Sequence, residues 1–250
     1  MGLWRSAIHL EKHAANILAI IKLAVIRICC TLMSLWPSED QSTASGTDIM
    51  KVIHQAIPDV KLLIPKRFVD ERGYFYETYN SRTMSAAGID FEFVQDNQSL
   101  SRDAGVLRGL HYQAPPMAQH KLVRVLRGRI WDVAVDIRAG SPTYGRHVAI
   151  ELDAESGGQL LLPMGFAHGF MTMVPNTEVF YKVSDFYSPE HAKGIRWDDP
   201  ALGIAWPTDV LGDDGCVILS GNDRQLPAFD ELERSFEYDI GRPETGEGTK

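Results

Sequence analysis

Apolar and polar residues alternate along much of the chain after residue 50, most clearly in two neighbouring segments. Residues 121–126 and 130–137 are separated only by Arg127-Gly128-Arg129. In the second segment every other side chain is apolar, and the residues between them are Asp132, Ala134 and Asp136. A period of two is typical of a strand with one buried face. The pattern therefore predicts a hairpin whose second strand is half-buried.

Further short apolar runs follow, with glycine and proline between them. They cover 147–152, 159–163, 169–174 and 178–183, and 51–58 has the pattern of a first strand. Helical patterns occur only at the margins, at 81–87 and 228–233. Many short strands at near-regular spacing predict an all-β sandwich or small barrel. The chain has no G-x-G-x-x-G sequence, so a nicotinamide-binding domain is not expected.

The first 49 residues differ in character from the rest. Residues 14–36 are almost continuously apolar, but Lys22 and Arg27 interrupt the run, and a polar linker follows at 37–46. Two cations within a bilayer would offset most of the gain from the aliphatic side chains, so a transmembrane helix is not favoured. The run is too long for a signal peptide and lacks a small-residue cleavage site. The two cations also lie on different faces of a helix, which disfavours an amphipathic interface helix.

We therefore interpret residues 1–49 as an extension outside the fold, either dispensable or the result of a miscalled start, with translation beginning at Met50. Residues 50–235 are predicted to form the folded domain, and 236–250 a polar C-terminal tail. Membrane contact through 14–36 remains the alternative.

Composition narrows the class of partner and the compartment. The 250 residues are 44% hydrophobic and 23% charged, which is ordinary for a globular protein, and the formal net charge is −8. An acidic chain is a poor candidate for nucleic-acid binding, although a few well-placed cations would still hold an anionic small ligand. Three cysteines without a framework spacing indicate a reducing compartment, so we expect a cytoplasmic protein.

Candidate chemistry is concentrated in a few polar clusters. They are Asp70–Glu77, Gln95–Asn97, Arg108 with His111, His168 in a glycine-rich segment read as lying between strands, Tyr181, and 219–223. Each has a plain structural interpretation: a turn with a surface ion pair, a hydrogen-bonded histidine at a strand end, or an aromatic residue in a core. Taken singly, every one of them is better explained in that way. The occurrence of all of these clusters in this order along one chain, however, favours a functional interpretation over a structural one.

Residues 50–224 resemble the dTDP-4-dehydrorhamnose 3,5-epimerase family. The resemblance rests on 68–73 (FVDERG), 93–97 (FVQDN), 106–113 (VLRGLHYQ), 121–124 (KLVR), 131–138 (WDVAVDIR), 141–145 (SPTYG), 163–170 (PMGFAHGF), 181–182 (YK) and 197–200 (WDDP). It implies a cupin-like jelly roll, a double-stranded β-helix sandwich with a few short peripheral helices, that works as a homodimer without a cofactor. Many cupins bind a metal through His-x-His, Glu and a later His. Here Gln113 stands where the second ligand would be, so we expect no metal.

The resemblance also implies a reaction and a set of residues. The expected activity is inversion of C3 and C5 of dTDP-4-dehydro-6-deoxy-D-glucose, through an enolate, to give dTDP-4-dehydro-L-rhamnose. His111 would be the base, oriented by Asp223, since an imidazole titrates near working pH. Tyr181 would be the acid across the pocket, and Lys121 would supply positive charge to the C4 oxygen. The sugar nucleotide would be bound by Arg72, Glu77, Gln95, Asp96, Asn97, Arg108, Lys121 and His168, with Arg72 contributed by the partner subunit.

Some positions depart from the family pattern. Asn222 stands where many members carry lysine, Phe186 where tyrosine is common, and Ala192 where some have glutamate, while His120 has no assigned role. These changes bear on nucleotide affinity and base preference more than on proton transfer. Two alternatives stay open: an epimerase acting at a single carbon or on another nucleotide sugar, and a non-catalytic sugar-nucleotide-binding protein.

Overall fold

The structure, a computed structural model, describes residues 49–212 and 215–239. In these ranges the chain forms thirteen strands and one short helix, α1 (Ser81–Ala86). The strands are β1 (Met50–His54), β2 (Lys61–Pro65), β3 (Phe68–Asp70), β4 (Gly73–Phe75), β5 (Gln95–Ser101), β6 (Leu107–Gln113), β7 (Lys121–Arg127), β8 (Arg129–Asp136), β9 (His147–Asp153), β10 (Gln159–Leu162), β11 (Phe166–Thr172), β12 (Thr177–Val183) and β13 (Ala192–Gly194).

Two antiparallel sheets make up the body of the fold. The first has the strand order β1-β2-β10-β7-β12-β5, and the second has the order β13-β6-β11-β8-β9. A separate hairpin pairs β3 with β4. Strands distant in sequence are neighbours in both sheets, which is the connectivity of a jelly roll. The predicted all-β, cupin-like jelly roll is confirmed, and the helix predicted at 81–87 is present as α1.

Apolar side chains from both sheets meet in one core. Val123, Leu160 and Val179 of the first sheet and Ile130 and Phe170 of the second belong to the same buried cluster. Because successive side chains of a strand point to opposite faces, this cluster identifies the inner face of each strand. On β7 the inner positions are Lys121, Val123 and Val125, and on β12 they are Val179, Tyr181 and Val183.

The outer faces of the sheets are also covered. Helix α1 places Met84 in a cluster with Leu122 and Leu161 on the outside of the first sheet. The helix begins where the side chain of Asn80 accepts hydrogen bonds from the main-chain N–H groups of Arg82 and Thr83. C-terminal segments cover the second sheet in a similar way, through apolar side chains such as Trp206 and Phe229.

Strand β8 differs from the prediction of a half-buried strand. Asp132 and Asp136 are both completely buried, so the polar face of the alternation points into the protein. Asp136 is well satisfied there, because it accepts hydrogen bonds from Arg138, Ser141 and Thr143. Arg138 in turn forms an ion pair with Asp59 at 2.6 Å. The alternation correctly identified which residues share a face. Both faces of β8 are nevertheless buried, because the C-terminal segments cover the outside of the second sheet.

The predicted terminal regions can be followed only in part. The extension at 1–49, apart from Ile49, and the tail beyond 239 lie outside the described residues, as does the apolar run at 14–36. The start of the tail packs on the domain, with the ring of Phe236 6.0 Å from that of Tyr112. At 228–233 the chain forms only a 3-10 turn, Phe229–Glu231, in place of the predicted helix. No helix within the described ranges is both long enough and apolar enough to span a bilayer.

Candidate active site

Polar residues of both sheets converge at one end of the space between them. The side-chain ammonium of Lys121 on β7 donates a hydrogen bond to the main-chain oxygen of His111 on β6, at 3.2 Å. This contact joins the two sheets. In the second sheet, His168 on β11 lies directly opposite His111 in the β6–β11 register. The predicted catalytic residues are therefore brought together by strand pairing and by the inward-facing period of the strands.

His111 and Asp223 form a dyad. The Nε2 atom of His111 lies 2.6 Å from Oδ1 of Asp223, and the imidazole remains 46% exposed while the carboxylate side chain is only 5% exposed. With Asp223 ionised, Nε2 carries the proton that donates to it, which leaves Nδ1 as the basic nitrogen. The buried Asp223 thus orients the ring through Nε2, while the rest of the ring stays accessible.

A short turn holds Asp223 in position. Ser220 Oγ donates to Asp223 Oδ2 at 2.9 Å, and the Asp223 main-chain N–H donates back to Ser220 Oγ at 3.0 Å. Burial alone would raise the pKa of Asp223. The hydrogen bonds from His111 and Ser220 and the positive charge of Arg108 nevertheless bring this pKa below its ordinary value. The carboxylate is therefore ionised at neutral pH.

The side chain of Lys121 is a cation whose pKa is lower than that of an ordinary lysine. Burial between the sheets lowers its pKa to about 8, and the negative charge of Asp132 opposes that shift. Near neutral pH the side chain is still largely an ammonium ion. A partly desolvated cation here can stabilise negative charge that develops on a bound ligand.

Tyr181 faces the same space from β12. Burial raises the pKa of its phenol, while the charge of Arg108 lowers it and Tyr187 adds a smaller increase. The hydroxyl therefore keeps its proton throughout the neutral range and can act as a donor. Its ring packs against the core cluster between the sheets, which fixes its direction.

Arg108 lies among these groups on β6. Its guanidinium donates to Ser101 Oγ at 3.3 Å and to the main-chain oxygen of Leu100 at 3.2 Å. Its charge acts on both Tyr181 and Asp223. An arginine held at the mouth of the site is well suited to bind a phosphate.

His168 belongs to a second histidine–aspartate pair. Its Nε2 atom lies 2.9 Å from Oδ1 of Asp132, and both side chains are buried. The expectation that His168 lies between strands is wrong, since it is the third residue of β11. Asp132 has no role in the sequence analysis, because a half-buried β8 would place it on the solvent face. Its position four residues before Asp136, on the same face of the strand, was the available signal.

The triplet Gln95-Asp96-Asn97 begins β5 and is divided between the two faces of the sheet. Asn97 pairs with Tyr181 across β5 and β12, and Asp96 pairs with Lys182. Gln95 donates to Asn97 at 2.8 Å on the inner face. Asp96 forms an ion pair with Lys182 at 2.8 Å on the outer face. The structure brings Gln95 and Asn97 towards the site, and it directs Asp96 away from it.

Arg72 and Glu77 lie outside this group. Arg72 is 77% exposed at the turn of the β3–β4 hairpin, where its guanidinium pairs with Asp70 at 2.5 Å. That contact holds the pKa of Asp70 below its ordinary value. Glu77 accepts a hydrogen bond from Asn80 at 2.9 Å, just before α1. Within one chain, neither residue joins the cluster around His111.

The unusual positions have defined surroundings. His120 stacks on Phe91 with ring centroids 3.8 Å apart and accepts a hydrogen bond from the Met164 N–H. Burial lowers its pKa to about 4, so it is a neutral packing residue at working pH. Phe186, Ala192 and Asn222 are exposed. Within the described ranges, no group of three or more histidine, cysteine or acidic residues is arranged to hold a metal ion.

Comparison with known proteins adds a family to this geometry. Residues 54–231 match the family described as dTDP-4-dehydrorhamnose 3,5-epimerase. A relative of that name from Sinorhizobium fredii is 48% identical over 77% of this chain and 97% of its own. An epimerase from Legionella pneumophila, solved in complex with dTDP-4-keto-L-rhamnose, is 42% identical, with a TM-score of 0.71 over 76% of this chain and 100% of its own.

A more distant solved structure is a 3'-monoepimerase from Streptomyces bikiniensis in complex with dTDP-quinovose. It is 33% identical, with a TM-score of 0.64 over 70% of this chain and 87% of its own. The resemblance stated from the sequence motifs is thus confirmed over most of the described domain, and the chain belongs to the dTDP-4-dehydrorhamnose 3,5-epimerase family.

Proposed function

We propose that this protein is a cofactor-independent epimerase that converts dTDP-4-dehydro-6-deoxy-D-glucose into dTDP-4-dehydro-L-rhamnose. The observation that carries the proposal is the His111–Asp223 dyad, joined to Lys121 and set between the sheets with Tyr181. A base, an acid and a cation at one end of the space between the sheets are what inversion beside a ketone requires. Family membership supplies the identity of the sugar nucleotide.

The residues divide the chemistry between them. C3 and C5 both flank the C4 ketone, so loss of a proton from either carbon gives an enolate. In the proposed mechanism His111 takes the proton, and Asp223 stabilises the resulting imidazolium. Lys121 stabilises the enolate oxygen, and Tyr181 returns a proton to the opposite face of the carbon. Exchange with solvent restores His111 and Tyr181, so the reaction moves protons only and no electrons are transferred.

Nucleotide binding is proposed to use local cations despite the acidic chain. Arg108 lies beside the dyad, and Arg72 is exposed on its hairpin. Their guanidinium groups match phosphate oxygens. The proposed contact set also includes Glu77, Gln95, Asp96, Asn97, Lys121 and His168. Of these, Asp96 has the weakest geometric support, because it lies on the outer face.

We also propose that the active unit is a homodimer in which each subunit lends its Arg72 to the other. All six residues of the β3 and β4 strands are exposed, including Phe68, Val69, Tyr74 and Phe75. Arg67 holds the base of this hairpin by donating a hydrogen bond to the Ala154 carbonyl at 2.8 Å. A rigidly based hairpin with apolar side chains in solvent is suited to bind a second copy.

Mixed dimers test this arrangement. We expect Arg72→Ala and His111→Asn each to be nearly inactive alone, because one lacks the phosphate contact and the other the base. Co-expressed, half of the dimers would be mixed, and each mixed dimer would hold one intact site. Activity should therefore return to about a quarter of the wild-type value. Activity no higher than the sum of the two separate variants would place Arg72 in its own subunit's site and contradict the proposal.

The reaction itself is tested by isotope exchange. The protein is incubated with dTDP-4-dehydro-6-deoxy-D-glucose in deuterated water, and the label is followed by NMR. Exchange with inversion at both C3 and C5 is expected. If neither C3 nor C5 exchanged, only a sugar-nucleotide-binding role would remain, and the proposed function would be refuted.

The second candidate function is epimerisation at a single carbon. The similarity to a 3'-monoepimerase favours keeping this candidate, since that protein has the same fold at 33% identity. The same NMR experiment distinguishes the two, because a single-carbon enzyme would label C3 or C5 alone. We place either activity in the cytoplasm, on the support of the cysteine content of the chain.

A further inference from the structure

Asp132 is a buried carboxylate with few partners. It is completely buried on the inner face of β8. One oxygen, Oδ1, lies 2.9 Å from Nε2 of His168, while Oδ2 has no hydrogen-bond partner in the structure. Removing a carboxylate from water without full compensation destabilises the folded protein. The fold therefore retains Asp132 at the expense of stability.

A comparison with Asp136 shows that this cost is not required by the fold. Asp136 is equally buried on the same strand, but it accepts hydrogen bonds from Arg138, Ser141 and Thr143. That set is what a structural buried carboxylate looks like. Asp132 has one such bond, and its partner is a residue of the sugar-nucleotide site. Its charge therefore acts on the site more than on packing.

The negative charge of Asp132 acts on the ammonium group of Lys121. Lys121 extends from the opposite sheet into the same interior and donates to the main-chain oxygen of His111. A buried ammonium loses stability relative to the neutral amine, and the negative charge of Asp132 counteracts that loss. Asp132 contacts His168, and His168 lies opposite His111, whose main-chain oxygen accepts the hydrogen bond from Lys121. Lys121 and His168 are both groups that the proposed mechanism needs in a fixed state.

We propose that Asp132 is a positioning residue that keeps Lys121 in its ammonium form and fixes the ring of His168. The inference rests on the proposed function, since it assigns Asp132 a part in the same site. Asp132 does not touch the reacting carbons. It acts through Lys121, whose charge is required when the enolate forms, and through His168, which contacts the substrate.

The proposal gives the pH profile a specific shape. The titratable and charged groups that share this interior with Lys121 are Arg108 and His111 on β6, Asp132 on β8, His168 on β11 and Tyr181 on β12. The pKa of Tyr181 is raised above its ordinary value and that of Asp223, behind His111, is lowered. Lys121, with a pKa of about 8, is therefore the group that ends activity on the alkaline side.

The test compares Asp132→Asn with Asp199→Asn. Asparagine keeps an oxygen that accepts from His168 but removes the charge. We expect the alkaline limb of kcat/KM to move about one pH unit lower, giving about a fivefold loss at pH 8 relative to a smaller loss at pH 6.5. Asp199 is also buried, and it accepts from the Ala201 and Phe229 N–H groups away from the site. Asp199→Asn should lower the melting temperature without moving the limb.

Two further variants complete the test. Asp132→Ser removes the charge with a smaller side chain and replaces Asp132→Asn if that variant does not fold. In a Lys121→Arg background the cation no longer titrates, so Asp132→Asn should leave the alkaline limb unmoved. A folded Asp132→Asn protein with the wild-type alkaline limb would overturn the inference while leaving the epimerase function intact. A wild-type protein that exchanges no protons would refute the function itself.

Discussion

Asparagine in place of His111 is expected to abolish solvent exchange at both C3 and C5. An asparagine side chain can still donate to Asp223, whose carboxylate is held by Ser220 at 2.9 Å, so the turn at 220–223 should persist. It has no basic nitrogen, and no proton can be taken from either carbon. Since general-base catalysis commonly contributes 10²–10⁴-fold, kcat should fall by about a thousandfold or more. Deuterium incorporation measured by NMR gives both rates in one experiment.

His54 provides the matched control. It is an exposed histidine on β1 whose Nδ1 atom lies 3.0 Å from the main-chain oxygen of Pro58. His54→Asn should retain the wild-type rate at both carbons. Nucleotide binding should survive in the His111 variant, because Arg108 and Lys121 remain. Exchange at either carbon near the wild-type rate in a folded His111→Asn protein would show that another group is the base.

The strands could be predicted from the sequence because local patterns carry the information. The strands β7 and β8 follow from alternation between neighbours in the chain, and the helix at 81–86 lies within the segment 81–87 whose pattern is helical. Alternation does not say which face is inside. Asp132 and Asp136 occupy the face that hydrophobicity assigns to solvent, and the structure buries both. Asp136 is stabilised there by Arg138, Ser141 and Thr143, whereas Asp132 bonds to His168 in the candidate site.

The site could be predicted only through resemblance. His111 and Asp223 are 112 residues apart in sequence, and no local pattern relates them. Resemblance identifies residue types at motif positions, but not the face to which each side chain points. Asp96 illustrates this, because it lies between two inward-facing residues and pairs with Lys182 outside. Resemblance also does not say which subunit a residue serves. Within a single chain, Arg72 lies on an exposed hairpin and pairs with Asp70.

Phenylalanine in place of Tyr181 is expected to separate proton exchange from inversion. The ring packs against the core between the sheets, so the substitution should keep the fold and remove only the hydroxyl. His111, Asp223 and Lys121 still form the enolate, and deuterium should continue to enter at C3 and C5. Without an acid on the opposite face, the enolate is reprotonated mainly from the face that lost its proton. Net inversion should therefore fall about 10²–10⁴-fold while exchange falls much less.

The ratio of exchange to inversion is the quantity that identifies an acid. A base variant lowers both rates together, and general destabilisation also does so, since both reduce the amount of enolate. Only loss of the second proton donor raises the ratio. Tyr144→Phe is the control, because Tyr144 packs on Phe229 at 5.2 Å outside the site, and its ratio should equal that of the wild type. An unchanged ratio in Tyr181→Phe would mean that water or another side chain delivers the second proton, and that Tyr181 only shapes the cavity.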